Sequence, residues 1–313
     1  MAKIDTKATF DPKKVLLSDA KTGEIPESES EIIIEQISKE SMVSKLAKYE
    51  PMEKQFKKFT YLAEGPGAYW VGEGEKIQVD SAKWLEMEMR AHKIGVILPV
   101  SKEFLNYTVA DFFTQIRPHI EEAIKDKIDK TVFFGADDSP WGAGASVYEK
   151  AKAKGNVLTA TADTYDDINN LIALIEAGDH EAQAFVTTTS KNKDLRGARD
   201  ENKNSIFNDA RDGVTARVLG LPVVYGNKKS FDKKKAEALT GNFDFLRYGI
   251  PKGLEYTISE DATLTTITGE DGKPINLFER DLIALKVTMD FGFMVIKDDA
   301  FAALEPAAPK AGQ

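Results

Sequence analysis

Residues 109–134 read VADFFTQIRPHIEEAIKDKIDKTVFF, the clearest helical pattern in the chain. Large apolar side chains recur there every four residues, at Phe112, Ile116, Ile120, Ile124, Ile128 and Val132. Residues four apart share one face of a helix, so the spacing predicts one amphipathic helix that ends before Gly135. At ~1.5 Å per residue it is roughly 39 Å long, against a usual length of about three turns. Pro118 lies inside it, and we expect a bend there because proline lacks a backbone donor and crowds the preceding turn.

A long hairpin precedes this helix. FKKFTYLA, residues 56–63, and the run from Lys83 to Val100 are rich in aromatic and branched side chains and predict two strands. The apolar alternation of the second strand starts at Leu85 and resumes one residue out of step at Ile94. Such a change of phase predicts a bulge near Lys93.

The segment that joins these strands, residues 64–82, reads EGPGAYWVGEGEKIQVDSA. A hairpin of this composition cannot bury both faces against itself, yet it carries Tyr69, Trp70 and Val71, with Trp84 just beyond. One interpretation is a solvent-exposed loop with a few aromatic side chains. The other is an arm that packs on a neighbouring subunit.

The rest of the chain alternates between helical and extended patterns. A polar arm of 27 residues precedes the capping box of Ser28 and Glu31, which predicts a helix at 29–39 and then an extended stretch from Met42 to Met52. DTYDDINNLIALIEAG (163–178) predicts a helix, and AFVTT (184–188) and LGLPVVYG (219–226) predict strands. Residues 247–305 are mostly β, with a tight turn at Asp271–Gly272. The predicted class is α+β.

The composition of the chain excludes several classes of protein. The chain has 313 residues, a formal net charge of −9, three histidines far apart and no cysteine. The absence of cysteine excludes a disulfide scaffold, a thiolate metal site and a cysteine nucleophile. The acidic net charge argues against general nucleic-acid binding. No apolar run approaches the ~20 residues of a membrane-spanning helix. The polar N-terminal stretch predicts no secretory signal peptide. We expect a soluble protein made in a reducing compartment.

The sequence contains no motif typical of catalysis or cofactor binding. The adjacent carboxylates Asp137–Asp138 and Asp166–Asp167 lie in a turn and at a helix start, where such pairs are usually solvated or capping. The glycine-rich hairpin lacks the G-K-[ST] ending of a phosphate loop. We therefore predict no catalytic, cofactor-binding or metal-ligating residues and no enzymatic activity. The lysine run at 228–235 indicates a solvated face or an inter-subunit contact.

Four segments, taken in order, resemble those of one protein family. They are AYWVGEGEKIQVDSAKW (68–84), KIGVILPVSKEFL (93–105), LGLPVVYG (219–226) and FERDLIALKVTMDFGFMVIKDDAFAAL (278–304). They are similar to segments of the major capsid proteins of tailed bacteriophages with the Hong Kong 97 fold, in particular those of long-tailed phages of Gram-positive hosts. The resemblance spans roughly residues 28–305 and rests on the four segments together.

The resemblance implies an α+β capsid fold in five parts. They are an N-terminal arm (1–50), an extended β-hairpin called the E-loop (51–100), a peripheral domain with the long helix as its spine (101–158 and 248–288), an axial domain (159–247 and 289–305) and a flexible tail (306–313). It also implies a function, that of a major capsid protein whose hexamers and pentamers form an icosahedral head around double-stranded DNA. Assembly is then expected in the host bacterial cytoplasm, and the product is the virion.

The implied partners are further copies of the chain, a separate scaffolding protein, a portal protein and packaged DNA held by non-specific contact, with no membrane. Inter-subunit contacts are expected in the hairpin and near a tip of the axial domain, at Trp70, Glu73, Trp84, Arg90, Lys233, Lys234 and Lys235. Some relatives carry about a hundred extra N-terminal residues as a fused scaffold, which this sequence lacks, so either the scaffold is a separate protein or the chain is already processed. Lys76 and Lys83 match no isopeptide motif, so we expect non-covalent assembly.

Two alternatives stay open at this stage. An encapsulin nanocompartment uses the same fold to enclose a cargo enzyme, but the hairpin sequence and the polar N-terminal arm argue against it. A DNA-binding or packaging accessory protein is disfavoured by the charge of −9.

Overall fold

The computed structural model describes residues 41–64, 76, 83–136, 138–200, 202–209, 215–268 and 274–307. Several sequence predictions lie outside these residues: the helix at 29–39 with its capping box, the Asp271–Gly272 turn, and the contact residues Trp70 and Glu73.

Helices and strands are mixed along the described ranges. The helices are α1 (Met42–Leu46), α2 (Lys102–Phe134), α3 (Val147–Lys154), α4 (Thr164–Glu176) and α5 (Asn192–Gly197). The strands are β1 (Lys48–Tyr49), β2 (Phe56–Glu64), β3 (Lys83–Ser101), β4 (Val157–Thr159), β5 (Ala184–Thr188), β6 (Phe207–Asn208), β7 (Arg217–Val218), β8 (Leu221–Gly226), β9 (Ala238–Gly241), β10 (Leu246–Ser259), β11 (Thr263–Thr268), β12 (Pro274–Asn276), β13 (Leu282–Val295) and β14 (Phe301–Glu305).

The first sheet packs against the long helix α2. Its strand order is β1-β10-β13-β3-β2, with β1 parallel to β10 and the other neighbours antiparallel. Ile120, Ile124, Ile128 and Val132 of α2 are buried in one cluster with sheet residues such as Val287. The predicted apolar face of the helix is confirmed over this part, and removal of these side chains from water stabilises the packing.

Helix α2 is longer than the apolar spacing predicted. It begins at Lys102, directly after β3, and continues through Pro118 to Phe134. Gly135 ends it with a φ of 70°, and its N–H donates to the Thr131 carbonyl oxygen. The bend at Pro118 stays a prediction.

Strand β3 explains the change of apolar phase near Lys93. Its register with β13 is continuous from Ala91 to Ser101, so the predicted bulge is wrong. Met89 faces a small cluster that contains Met52, whereas Ile94 on the opposite face packs on the main core. Successive side chains of a strand point to opposite faces. Because β3 buries one face around Met89 and the opposite face from Ile94 onward, its apolar alternation changes phase without an extra residue in the strand.

The second sheet has the order β4-β14-β9-β5-β8-β7-β6. β5 lies parallel to β8, with Thr188 opposite Gly226, and antiparallel to β9. Helix α4 packs Leu171 into one cluster with Phe185 of β5, and Asp163 caps the helix. The helix predicted from 163–178 and the strands predicted at 184–188 and 219–226 are confirmed.

The stretch from Met42 to Met52, predicted to be extended, begins instead as the short helix α1. The Ser41 side-chain oxygen accepts hydrogen bonds from the N–H groups of Val43 and Ser44 and so caps the helix. Five residues are too few for a recognisable helical period, so the apolar pattern could not reveal this turn.

Strand β13 runs unbroken through the first sheet from Leu282 to Val295. The chain then crosses to the second sheet, where β14 begins at Phe301. The domain boundary expected between residues 288 and 289 therefore lies inside a strand.

Candidate assembly surfaces

Strand β2 and the first half of β3 form a two-stranded ribbon that extends past the rest of the first sheet. β2 pairs with β3 from Phe56 opposite Arg90 to Glu64 opposite Lys83. β13 pairs with β3 only from Ala91 onward, and β2 is the last strand of the sheet. In the described part of the chain, the two strands of the ribbon therefore pair only with each other.

The ribbon exposes large apolar side chains on both faces. Trp84 is 62% exposed, Leu85 is 55% exposed and Phe56 is 53% exposed. Trp84 and Leu85 are consecutive, so their side chains point to opposite faces. A two-stranded hairpin is at best marginally stable alone in water, and apolar surface of this kind typically contacts another molecule.

Polar contacts hold the root of the ribbon to the body. The Glu50 carboxylate accepts hydrogen bonds from Lys57 Nζ at 3.2 Å and from Arg247 Nη1 at 2.9 Å. The Trp141 indole N–H donates to the Arg90 carbonyl oxygen at 2.9 Å. The ribbon is therefore anchored where it leaves the sheet, while Trp84 and Leu85 beyond that point are exposed.

Of the contact residues predicted in the hairpin, Trp84 and Arg90 lie on this ribbon. The Arg90 side chain is exposed, and its Nε–H donates to the carboxylate of Glu88 on the same strand. Sequence reasoning missed Leu85 and Phe56. Leu85 belongs to an apolar alternation that predicts a buried strand face, but the structure buries only part of that face: Met89 is fully buried, whereas Leu85 is exposed.

The predicted lysines follow β8, and they differ in their surroundings. Lys235 is half-buried, and its Nζ donates to the carbonyl oxygens of Phe134 at 2.8 Å and Gly135 at 3.3 Å. Its charge therefore offsets the negative end of α2 inside the subunit. Lys233 is exposed and donates to Ser190 Oγ, and Lys234 is exposed.

Two buried carboxylates on α2 bind segments from elsewhere in the chain. Asp129 accepts hydrogen bonds from Ser41 Oγ at 2.5 Å, the Met42 N–H at 3.0 Å and the Val43 N–H at 3.1 Å. Burial raises the pKa of the Asp129 carboxyl, and these donors oppose the rise only in part.

The second buried carboxylate lies one turn earlier on the same helix. Asp126 accepts a hydrogen bond from Asn227 Nδ2 at 2.5 Å, which joins α2 to the loop after β8. The sequence carries no local signal for either contact, because the partners lie 86 to 88 residues away for Asp129 and 101 for Asp126.

Of the carboxylates considered for catalysis, Asp167 and Asp138 make structural contacts, and Asp137 lies outside the described residues. Asp167 accepts from the Thr161 N–H and hydroxyl at the start of α4. Lys127 binds the exposed Asp138 and holds the pKa of that carboxyl below its usual value. In the described ranges no three His, Cys, Asp or Glu side chains are grouped to hold a metal ion. Over the same residues, no helix has both the length and the apolar character needed to span a membrane.

Comparison with known proteins identifies the kind of assembly. Residues 24–305 match the phage capsid family. The chain belongs to this family. The major capsid protein of Staphylococcus phage 80alpha is 42% identical over 299 residues, covering 95% of this chain and 90% of that relative.

Two solved structures support the same fold. A structure from Microbacterium phage Oxtober96 has a TM-score of 0.70 at 24% identity, covering 85% of this chain and 91% of its own. A structure from Mycobacterium phage Adephagia has a TM-score of 0.71 at 20% identity, covering 87% of this chain and 91% of its own. The fold is that of the Hong Kong 97 capsid proteins.

The function of the chain is that of a phage major capsid protein, a structural subunit of the virion head. The match over nearly the whole chain does not favour the encapsulin alternative. The exposed ribbon is thus a surface of a protein that assembles with copies of itself into a shell.

Proposed function

We propose that this capsid protein forms the hexamers and pentamers of a closed icosahedral head around double-stranded DNA, and that its ribbon binds a neighbouring copy. The observation that carries the proposal is the exposure of Trp84, Leu85 and Phe56 on a ribbon whose root is anchored. Burial of such side chains is favourable, and in a shell built from one protein the nearest available surface belongs to another copy.

The five parts named from the resemblance belong to the same proposal. The first sheet and α2 form the peripheral domain, and the second sheet and α4 form the axial domain. The connection between them runs through residues 296–300, since β13 belongs to the first sheet as far as Val295. Residues 1–50 serve as the N-terminal arm.

The proposed inter-subunit contacts extend beyond the exposed apolar residues. They include the residues chosen from the sequence, namely Trp70, Glu73, Trp84, Arg90, Lys233, Lys234 and Lys235. Lys235 acts indirectly, because its ammonium group already binds the end of α2.

The other partners are a separate scaffolding protein, a portal protein and the packaged DNA, with assembly in the host cytoplasm. The formal charge of −9 supports a non-specific and weak contact with DNA, since the subunit as a whole repels phosphate groups. The protein acts by binding alone, without a catalytic step.

Negative-stain electron microscopy of the purified full chain tests this function, with the protein expressed alone and together with a scaffolding candidate. Closed shells or ring-shaped capsomers are the expected result. A subunit that stays monomeric under both conditions would contradict the proposal. Shells boiled in detergent should dissolve to monomers on a denaturing gel, and covalent ladders would refute non-covalent assembly.

A further inference from the structure

The topology of the second sheet gathers lysines from two loops. β5 and β8 are parallel neighbours that end together at Thr188 and Gly226, so the segments that follow them emerge side by side. A hydrogen bond from Lys233 Nζ to Ser190 Oγ joins these segments directly. We call the exposed lysines of this region the lysine patch: Lys193, Lys228, Lys229, Lys233 and Lys234.

The carboxylates near the lysine patch are occupied within the subunit. Asp194 and Glu237 both bind the half-buried Lys191. Asp232 accepts a hydrogen bond from the backbone N–H of Lys234. In the described part of the chain, no carboxylate forms an ion pair with the exposed lysines of the patch, so the patch is strongly positive in a chain of net charge −9.

The opposite end of β5 is acidic. The chain reaches the start of β5 through exposed Glu176, Asp179 and Glu181, and Asp244 lies beside them because it accepts a hydrogen bond from Gln183 Nε2 at 2.7 Å. We call these four residues the acidic patch. The five residues of β5 separate the two patches by roughly 16 Å at ~3.3 Å per residue.

We propose that the lysine patch of one subunit binds the acidic patch of a second copy, so that neighbouring subunits join head to tail through opposite charges. The inference rests on the proposed assembly into capsomers and names one of its contacts. A head-to-tail contact uses two different surfaces of one protein, and it produces a ring when the rotation between copies closes.

The polarity of the two patches also selects against wrong pairings. Lysine patch against lysine patch, or acidic patch against acidic patch, brings like charges together, and such juxtapositions are strongly unfavourable. The contact is therefore directional, and its strength depends on salt because the charges are exposed.

A charge-swap experiment tests the contact in the full chain. One variant carries Lys228→Glu and Lys229→Glu, a second carries Glu176→Lys and Glu181→Lys, and a third carries all four changes. Each of the first two changes the net charge by four units, whereas the third keeps the wild-type net charge. These four side chains are exposed, so folding should be retained, as circular dichroism would verify.

A matched control separates the patch from net charge. Lys45→Glu with Lys154→Glu reverses two exposed lysines outside the patch and gives the same change in net charge as the first variant. Analytical ultracentrifugation and negative-stain microscopy measure capsomer formation at about 50 mM and about 500 mM salt, which differ several-fold in screening.

The expected result is that each two-site variant requires at least about tenfold more protein to assemble, while the control assembles as the wild type does. The four-site variant should recover part of the loss, because the two acids introduced into the lysine patch can then pair with the two lysines introduced into the acidic patch. An equimolar mixture of the two defective variants should assemble at a lower protein concentration than either variant alone, because the introduced acids of one variant can then face the introduced lysines of the other. If both two-site variants assemble into shells at the same protein concentration as the wild type, the proposed contact is refuted and the proposed function still stands.

Two other outcomes also count against the contact. If the lysine variant builds normal shells but those shells retain less DNA, the patch faces nucleic acid rather than a second copy. If the wild type stays monomeric with a scaffolding candidate present, the proposed function fails and this contact fails with it.

Discussion

The Trp84→Ala substitution removes apolar surface that the isolated subunit leaves uncovered. A tryptophan side chain buries up to about 250 Å² in a contact, and Trp84 is 62% exposed, so about 150 Å² is available for a neighbouring subunit to cover. At about 25 cal/mol per Å², full burial contributes about 4 kcal/mol per contact. Alanine keeps part of this contact, so we expect the substitution to weaken association by about 2–3 kcal/mol.

The assay is the protein concentration at which shells or capsomers form, followed by light scattering and sedimentation. Since 1.4 kcal/mol corresponds to a factor of ten, the expected loss raises this concentration about 30- to 140-fold. The free energy of unfolding of the unassembled subunit should stay within about 0.5 kcal/mol of the wild-type value, because Trp84 contributes little to the core.

Trp141→Ala is the matched control, because it makes the same chemical change at a packed position. It loses the hydrogen bond to the Arg90 carbonyl oxygen and the contact with Phe293, whose ring centroid is 4.7 Å away. We expect a loss of about 3 kcal/mol in the stability of the subunit. The reasoning is refuted if Trp84→Ala assembles at the wild-type concentration, or if it lowers subunit stability as much as Trp141→Ala does.

Four further predictions concern contacts inside the subunit, with the free energy of unfolding in denaturant as the measurement. Ser41→Ala removes the cap of α1 and the hydrogen bond to Asp129, so we expect a loss of about 1–3 kcal/mol, and a change below about 0.5 kcal/mol would contradict this role. Burial raises the pKa of the Asp129 carboxyl above its ordinary value of 3.8, so its contribution to stability is fully present below that pH and is lost as the pH rises through the folded pKa; Asp129→Asn should abolish this part of the pH dependence. Lys235→Gln should lose about 1 kcal/mol because the end of α2 loses its cation, whereas the matched Lys234→Gln should be neutral, and equal losses would disprove the assignment. Gly241→Ala would place a Cβ atom 2.5 Å from a carbonyl oxygen, so we expect a loss of at least about 2 kcal/mol, and wild-type stability would contradict the close packing.

Elements that bury a face against the body could be predicted from their own periodicity. The four-residue spacing of α2 correctly predicted the side chains that pack against the sheet from Ile120 to Val132. Helix α4 and strand β5 were likewise predicted from their apolar patterns. Their local patterns agree with the tertiary structure because the same apolar residues satisfy both.

Contacts between distant residues could not be predicted in this way. Helix α1 depends on Asp129, which lies 88 residues from the Ser41 side chain that caps the helix. Lys235 lies in a run of lysines that resembles a solvated face, and only the fold brings it to the end of α2. Neither contact produces a periodic pattern in the sequence from which it could be predicted.

The candidate surface was predictable only in part, for a similar reason. Trp84 was predicted because an aromatic side chain in a glycine-rich hairpin lacks cover of its own. Leu85 was not, because its alternation with charged neighbours is the same whether the cover is a strand of the chain or another subunit. The structure distinguishes the two cases, because on the same face of β3 Met89 is fully buried within the subunit and Leu85 is exposed.

The polar contacts of α2 and the uncovered ribbon therefore respond to mutation in different ways. Asp126, Asp129 and the carbonyl groups bound by Lys235 lie at the C-terminal end of the helix, and each binds a different part of the chain. Removing one partner of a buried contact leaves the other unsatisfied, so such changes should lower subunit stability first and assembly only as a consequence. Changes at the exposed apolar side chains of the ribbon should do the reverse, because Trp84, Leu85 and Phe56 contribute only when a neighbour covers them. Measuring both quantities for the same set of variants thus separates residues that fold the subunit from residues that join it to others.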